Sequence, residues 1–271
     1  MTHRVVALAL PGLFTFDLSS VVQLFGHPPE LESHAEPLYD FSVCGSESGS
    51  VRTADGFDLV VTGGLETLSD ADTVVVPGYD NAWAAEPDEP ALRALRRAAD
   101  RGARMMSVCV GAFALGHAGI LDGRRATTHW AVVDRLADQF PATSVVSDVL
   151  YVDDDHVLTS AGLASGIDLS LHVIRADHGA QVAARLARWN VVAPHRDGAQ
   201  AQFIDIALPD TSRTSIASTC AWALGRLDGH LDLADLAAHA GISERSLLRR
   251  FHDELGTSCP GTAFGVGRWT T

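Results

Sequence analysis

Apolar runs of strand length alternate with segments of helical period from Val5 to Trp189, and that alternation restricts the chain to an α/β fold around a mostly parallel sheet. Val5–Leu10 (VVALAL) is apolar throughout and bounded by Pro11 and Gly12, as a strand buried on both faces should be. A helix is expected next, because Phe16, Leu18, Val21, Val22, Leu24 and Phe25 give an apolar stripe ahead of Gly26. Further strands are expected at Tyr39–Cys44, Phe57–Val61, Thr73–Val76, Ala103–Val108, Val145–Val152 and Val157–Thr159. Helices are expected at Ala91–Arg101, Ala112–Ile120, Ala131–Phe140, Ile167–Asp177 and Gln181–Trp189.

Periodicity lapses from Ala193 to Arg213, a stretch that is polar and carries Pro194 and Pro209. Three short helices follow, at Thr214–Leu227, Asp232–Ala240 and Glu244–Leu255. The expected organisation is a domain over residues 1–192, a linker over 193–212 and a small all-α domain over 213–271. Charge divides along the same line. Up to Thr211 there are 14 Arg against 28 acids, whereas Ser212–Thr271 hold 6 Arg against 6 acids. The overall charge of -14 opposes binding to a polyanion, but the neutral tail can still do so if its Arg side chains share one face.

Other classes fall on composition. With 46% hydrophobic and 20% charged residues the chain is too apolar for a disordered one. The apolar stretch Ser107–Leu121 is shorter than the roughly 20 residues of a membrane span and carries His117, so no membrane partner is expected. Cys44, Cys109, Cys220 and Cys259 form no C-x-x-C pair, which points to a reducing cytoplasm rather than a disulfide framework. All 20 basic residues are Arg, so Schiff-base and P-loop lysine chemistry is excluded. The 12 His are dispersed, and neither a metal nor another cofactor is expected.

Cys109 follows an apolar strand and precedes a helix, with Gly111 allowing a tight turn, as in a nucleophile elbow. Ser107 stands where that motif usually has its leading Gly. A helix N-terminus favours thiolate, and the same N–H groups can cradle an oxyanion. The alternative is a small buried hydrophobe. FDLSS at Phe16–Ser20, SVCVGAFALGHAGILDGRRATTHW at Ser107–Trp130 and TSAGLASGIDLSLHVI at Thr159–Ile174 together resemble the ThiJ/PfpI branch of the class I glutamine amidotransferase-like superfamily. The resemblance implies a flavodoxin-like sandwich with a site made of Cys109, His129 and Asp17, either sensing or vestigially catalytic. In it His129 would deprotonate or orient the thiol and Asp17 would hydrogen-bond it. The similar isocyanide hydratases carry Thr directly after the cysteine; here Val110 offers no hydroxyl, which weighs against hydratase chemistry. Read alone, His129 is equally a helix-start residue and Asp17 an acid complementing a helix dipole.

HLDLADLAAHAGISERSLLRRFHDELGTS, residues 230–258, has the plan of a helix-turn-helix broken at Gly241. Leu247, Phe251 and Leu255 repeat at i, i+4 and i+8, which leaves Arg245, Ser246, Arg249 and Arg250 on the outer face. Such guanidinium groups suit guanine edges and phosphates, or simply a solvated face paired with Glu244, Asp253 and Glu254. The segment resembles the first helix-turn-helix of AraC/XylS regulators and, with PHRDGAQAQF at Pro194–Phe203, the GlxA-type subgroup. That implies a regulator with operator DNA and a small-molecule effector as partners. The family continues into a second helix-turn-helix, whereas CPGTAFGVGRWTT at Cys259–Thr271 departs from it, so a truncated reader with lowered affinity is expected. A homodimer through the first domain would recover part of that loss.

Overall fold

The computed structural model describes residues 2–27, 37–202, 217–224 and 232–255. The chain opens with β1 (Arg4–Leu8), α1 (Thr15–Phe25) and β2 (Asp40–Cys44), then β3 (Gly49–Arg52), β4 (Asp58–Val61) and β5 (Thr73–Val76). It goes on through α2 (Glu89–Asp100), β6 (Arg104–Val108), α3 (Ala112–His117), β7 (Arg125–Ala126), α4 (Val133–Gln139) and β8 (Ser144–Val145). β9 (Tyr151–Asp154), β10 (Val157–Ser160), α5 (Ala164–His178) and α6 (Ala180–Trp189) follow. Six strands make one sheet in the order β2-β1-β5-β6-β10-β9. Every neighbouring pair is parallel except β9 with β10, which turn back on each other at Asp155. This is the α/β architecture expected of the sequence. Its central strands β5 and β10 are buried at every residue, which is why they read as unbroken apolar or small-residue runs.

From β1 the crossover through α1 leads outward to β2, whereas from β5 the crossover through α2 leads the other way to β6. Right-handed crossovers in opposite directions put α1 on one face and α2 on the other. Accordingly α5 packs on α1 and α6, while α2 packs on α3. The strand order reverses between β1 and β5, and ligands of such sheets bind outside the carboxyl ends of the strands at that point.

The strands differ from the expectation in two places besides the unforeseen β7. Val145–Val152 is not one strand: β8 pairs with β7, β9 pairs with β10, and Asp148 between them takes a φ of +58°. Ser147 and Asp148 are turn residues inside an apolar run, and their local chemistry overrides it. β3, too short and polar to show periodicity, pairs antiparallel with β4. The hairpin's Asp55 caps α1 from afar, accepting from the Thr15 N–H at 2.9 Å and its hydroxyl at 2.5 Å.

Residues Met1–Gln202 and Phe203–Thr271 form separate compact units. Residues 193–202, the first half of the expected linker, are bonded to the first unit, and 203–212 lie outside the described residues. In the second unit α7 (Ala217–Leu224), α8 (Leu233–Ala240) and α9 (Glu244–Leu255) are described. Asp232 and Asp235 form a reciprocal capping box at the start of α8, and Gly241, with φ +66°, ends it. Ala237, Leu247 and Phe251 are its buried core. His239 stacks on Trp222 at 4.4 Å and meets the Thr219 hydroxyl at 3.1 Å, fixing α8 to α7. The side chains of Cys220, Asp253, Glu254 and Leu255, and all of Cys259–Thr271, lie outside the described residues. No described helix is long and apolar enough to cross a membrane.

Candidate functional site

The turn after β6 brings Cys109 to the carboxyl end of the sheet with a φ of +57°, a left-handed conformation that a side-chain-bearing residue adopts only under constraint. Two glycines supply the constraint. A Cβ on Gly111 would collide with the Val76 carbonyl, so only glycine lets the elbow lie against the end of β5. A Cβ on Gly162, itself at φ +88°, would collide with the Cys109 Cβ and lie 2.8 Å from Sγ. On the far side the Thr128 hydroxyl donates to the Cys109 carbonyl at 2.8 Å.

Asp17, fully buried on the first turn of α1, faces this elbow across the strand-order reversal. Its Oδ1 accepts the Leu163 N–H at 2.9 Å. Its Oδ2 lies toward the Gly78 N–H and the Cys109 thiol without closing a hydrogen bond to either. Burial pushes the Asp17 carboxyl above the usual carboxylate range, outweighing the Leu163 and Gly78 amides that favour its ionised form. The expected thiolate is not what the surroundings favour. Burial, and then the neighbouring Asp17, push the Cys109 thiol up, and the Val110 N–H opposes them only in part. Desolvation wins over the helix N-terminus because the thiol is 7% exposed.

His129 is not hydrogen-bonded to Cys109. Its Nδ1 accepts the Ala131 N–H at 3.3 Å, capping the 3-10 turn Trp130–Val132, which leaves the ring proton on Nε2 when the ring is neutral. Burial holds its pKa below the usual histidine value. In this state Nε2 is a donor and Nδ1 is already engaged, so the neutral ring has no free lone pair with which to act as a base. Phe16, Trp130 and Leu163, each about half exposed, belong to the segments that carry Asp17, His129 and Gly162. Gly78, Thr128, Gly162 and the Leu163 amide also line this turn. Thr128, Gly162 and Leu163 lie in the stretches Ser107–Trp130 and Thr159–Ile174, but sequence alone singles out none of the four. Among the described residues no group of three His, Cys, Asp or Glu is placed to hold a metal ion.

On α9, Arg245 and Arg249 are exposed and Arg250 is half-buried, opposite the buried Leu247 and Phe251. The Ser246 hydroxyl accepts from the Ser243 hydroxyl at 3.0 Å, and the Ser246 N–H donates to Ser243 Oγ at 3.3 Å, so Ser246 is tied into the helix start.

The pattern of the DJ-1/PfpI family matches residues 30–176, just over half of the chain. The chain belongs to the DJ-1/PfpI family. Within it, similarity to helix-turn-helix regulators extends over most of the length. The HTH-type transcriptional regulator CdhR of Pseudomonas aeruginosa is 29% identical over 256 residues, 92% of this chain and 73% of that protein. The isonitrile hydratase of Pseudomonas putida is 28% identical over 216 residues, 80% of this chain and 87% of that enzyme. The DJ-1/PfpI fold is shared with an AraC family transcriptional regulator from Pseudomonas putida, whose crystal structure aligns with a TM-score of 0.61 at 22% identity, covering 69% of this chain and 99% of that one.

Proposed function

We propose that this chain is a DNA-binding transcriptional regulator of the cytoplasm, in which the DJ-1/PfpI domain senses a small molecule or a redox change at the Cys109 pocket. The observation that carries the reading is the C-terminal unit: two capped helices joined at Gly241, with Arg245 and Arg249 exposed on the face of α9 opposite its core. An enzyme has no need of such an appendage, whereas a recognition helix needs donors on its open face and an apolar back. Similarity to CdhR over 92% of the chain supports the same reading. On the sensing side, the Asp17 carboxyl, the Cys109 thiol and the His129 ring offer polar groups, and the segments that carry them bring the apolar Phe16, Trp130 and Leu163. That combination suits a small effector with both polar and apolar parts.

The test is selection from random-sequence duplexes by the full chain, followed by titration of the enriched sequence at several salt concentrations. Specific binding that weakens on Arg249→Ala by about tenfold or more supports the proposal, because one good side chain to base or phosphate contact is worth ~1–3 kcal/mol. Absence of enrichment overturns it. A homodimer through the first unit is part of the proposal, since a second recognition helix would then be available. A monomer in sedimentation at micromolar concentration counts against it.

A second reading is a cysteine-dependent hydratase or amide hydrolase, favoured by the strained elbow at Cys109 and the buried Asp17 beside it. Turnover of an isonitrile by the wild type and its loss in Cys109→Ser would establish it. Against it stand the neutral thiol and Val110, which brings no hydroxyl to the site.

A further inference from the structure

Residues 194–202 lie on the DJ-1/PfpI domain as a strap fastened at several points. Arg175 donates to the Pro194 carbonyl. Arg196 pairs with the buried Asp168 at 3.0 Å, and the Arg196 carbonyl accepts from the Tyr151 hydroxyl at 3.4 Å. The Gly198 carbonyl accepts the Leu150 N–H at 2.8 Å, and a Cβ at Gly198 would press on the Tyr151 ring at 2.7 Å. The last fastening is Gln202, whose Nε2 donates to the Thr128 carbonyl at 2.9 Å and to the Thr127 hydroxyl at 3.4 Å. Thr128 is the same residue whose hydroxyl holds the Cys109 carbonyl. The next residue, Phe203, begins the second unit.

We infer that this strap couples the state of the Cys109 pocket to the C-terminal unit, with Gln202 as the contact that reads the elbow through Thr128. The inference rests on the reading of the chain as a regulator. The thiol is closely walled on one side by Gly162, where even a Cβ would lie 2.8 Å from Sγ. A group added to Sγ, or a ligand seated against it, therefore displaces the elbow backbone, and the Cys109 carbonyl carries Thr128 with it. Thr127 offers the movement little relief, since its own N–H is held by the Thr159 hydroxyl at 2.8 Å. The displacement falls on the Thr128 carbonyl and hence on Gln202. That fastening is poised to let go: Gln202 Oε1 is buried with no hydrogen-bond partner among the described residues, so the amide gains less from staying than a fully paired one. Packed contacts of this sort switch between discrete arrangements rather than yielding gradually.

The Leu150 and Tyr151 amides, which point at the Gly198 carbonyl, report the strap directly in hydrogen exchange. Exchange is measured on four full-length chains: wild type, Cys109→Met, which adds bulk at the thiol, Gln202→Ala, and the double variant. Cys109→Met and Gln202→Ala are each expected to speed exchange at Leu150 and Tyr151 by roughly fivefold or more, with β1 and β5 amides unchanged. The double variant is expected to exchange no faster than Gln202→Ala alone, because the link is already cut. Wild-type rates in folded Cys109→Met, or effects that simply multiply in the double variant, overturn the inference. Should Cys109→Met fail to fold, Gly162→Ala decides, since its added Cβ crowds the same Cys109 side chain from the opposite wall. The same fivefold rise sustains the inference and a wild-type rate ends it. DNA plays no part in this readout. Coupling without DNA binding would remove the regulator reading and leave the strap, and DNA binding without coupling would do the reverse.

Discussion

At Asp17 a buried carboxyl lies beside a buried thiol, and the lack of water is what chiefly shifts the ionisation of each. Because the folded-state pKa of Asp17 is raised above its ordinary value of 3.8, the folded chain holds that proton more tightly than the unfolded one. Its stabilising contribution is complete below the ordinary value and is lost as pH rises toward the raised one. Asp17→Asn keeps an acceptor for the Leu163 N–H and has no proton to lose. Relative to wild type it should therefore grow more stable as pH rises through that window, a difference that urea titrations at several pH values will read. The same substitution removes the charge that raises Cys109, so alkylation of Cys109 by iodoacetamide should speed up at neutral pH. Gly162→Ala meets both a left-handed φ and the Cys109 side chain, and we expect it to cost about 3 kcal/mol in urea unfolding of the first unit. Cysteine, histidine and aspartate could be picked out from the sequence because their motifs are local. The roles of Gly162, Leu163 and Gly78 could not, since they consist of backbone approach from distant segments, which residue type alone does not mark.

Elements were legible wherever burial imposes a period. β5 spans the predicted residues because it is apolar from end to end, and α9 spans Glu244–Leu255 as predicted because its arginines and its core alternate faces. Local turn chemistry misled the reading at Val145–Val152, where Ser147 and Asp148 interrupt an apolar run, and β3 was invisible because four residues carry no period. Helix ends depend on capping, which is legible once its residue types are in register. Asp232 with Asp235 begins α8, and Asp232→Ala removes one arm of that box. It should lower the stability of the second unit by about 1 kcal/mol, measured by thermal unfolding followed at a tryptophan of that unit. If the unit's melting is unchanged, the capping box carries no weight in holding the helix pair.

For the whole molecule, the acidic excess sits in the first unit and the exposed arginines of α9 in the second. If Arg245, Arg249 and Arg250 each meet a phosphate, the slope of log affinity against log salt should be near -3 per chain, at about -0.9 for each phosphate neutralised. A slope near zero would mean that these arginines neutralise no phosphate. The connection expected from the lapse of periodicity covers residues 193–212, and its first ten are bonded to the first unit, because a polar segment held by Arg196, Gly198 and Gln202 looks in sequence like any loop. That has a practical side for anyone who trims this protein. A fragment ending at residue 192 would inherit Asp168 without its guanidinium and the Leu150 and Tyr151 amides, at the start of the edge strand β9, without their acceptor. One ending at residue 202 would keep both satisfied, and should be the piece that expresses well and melts higher.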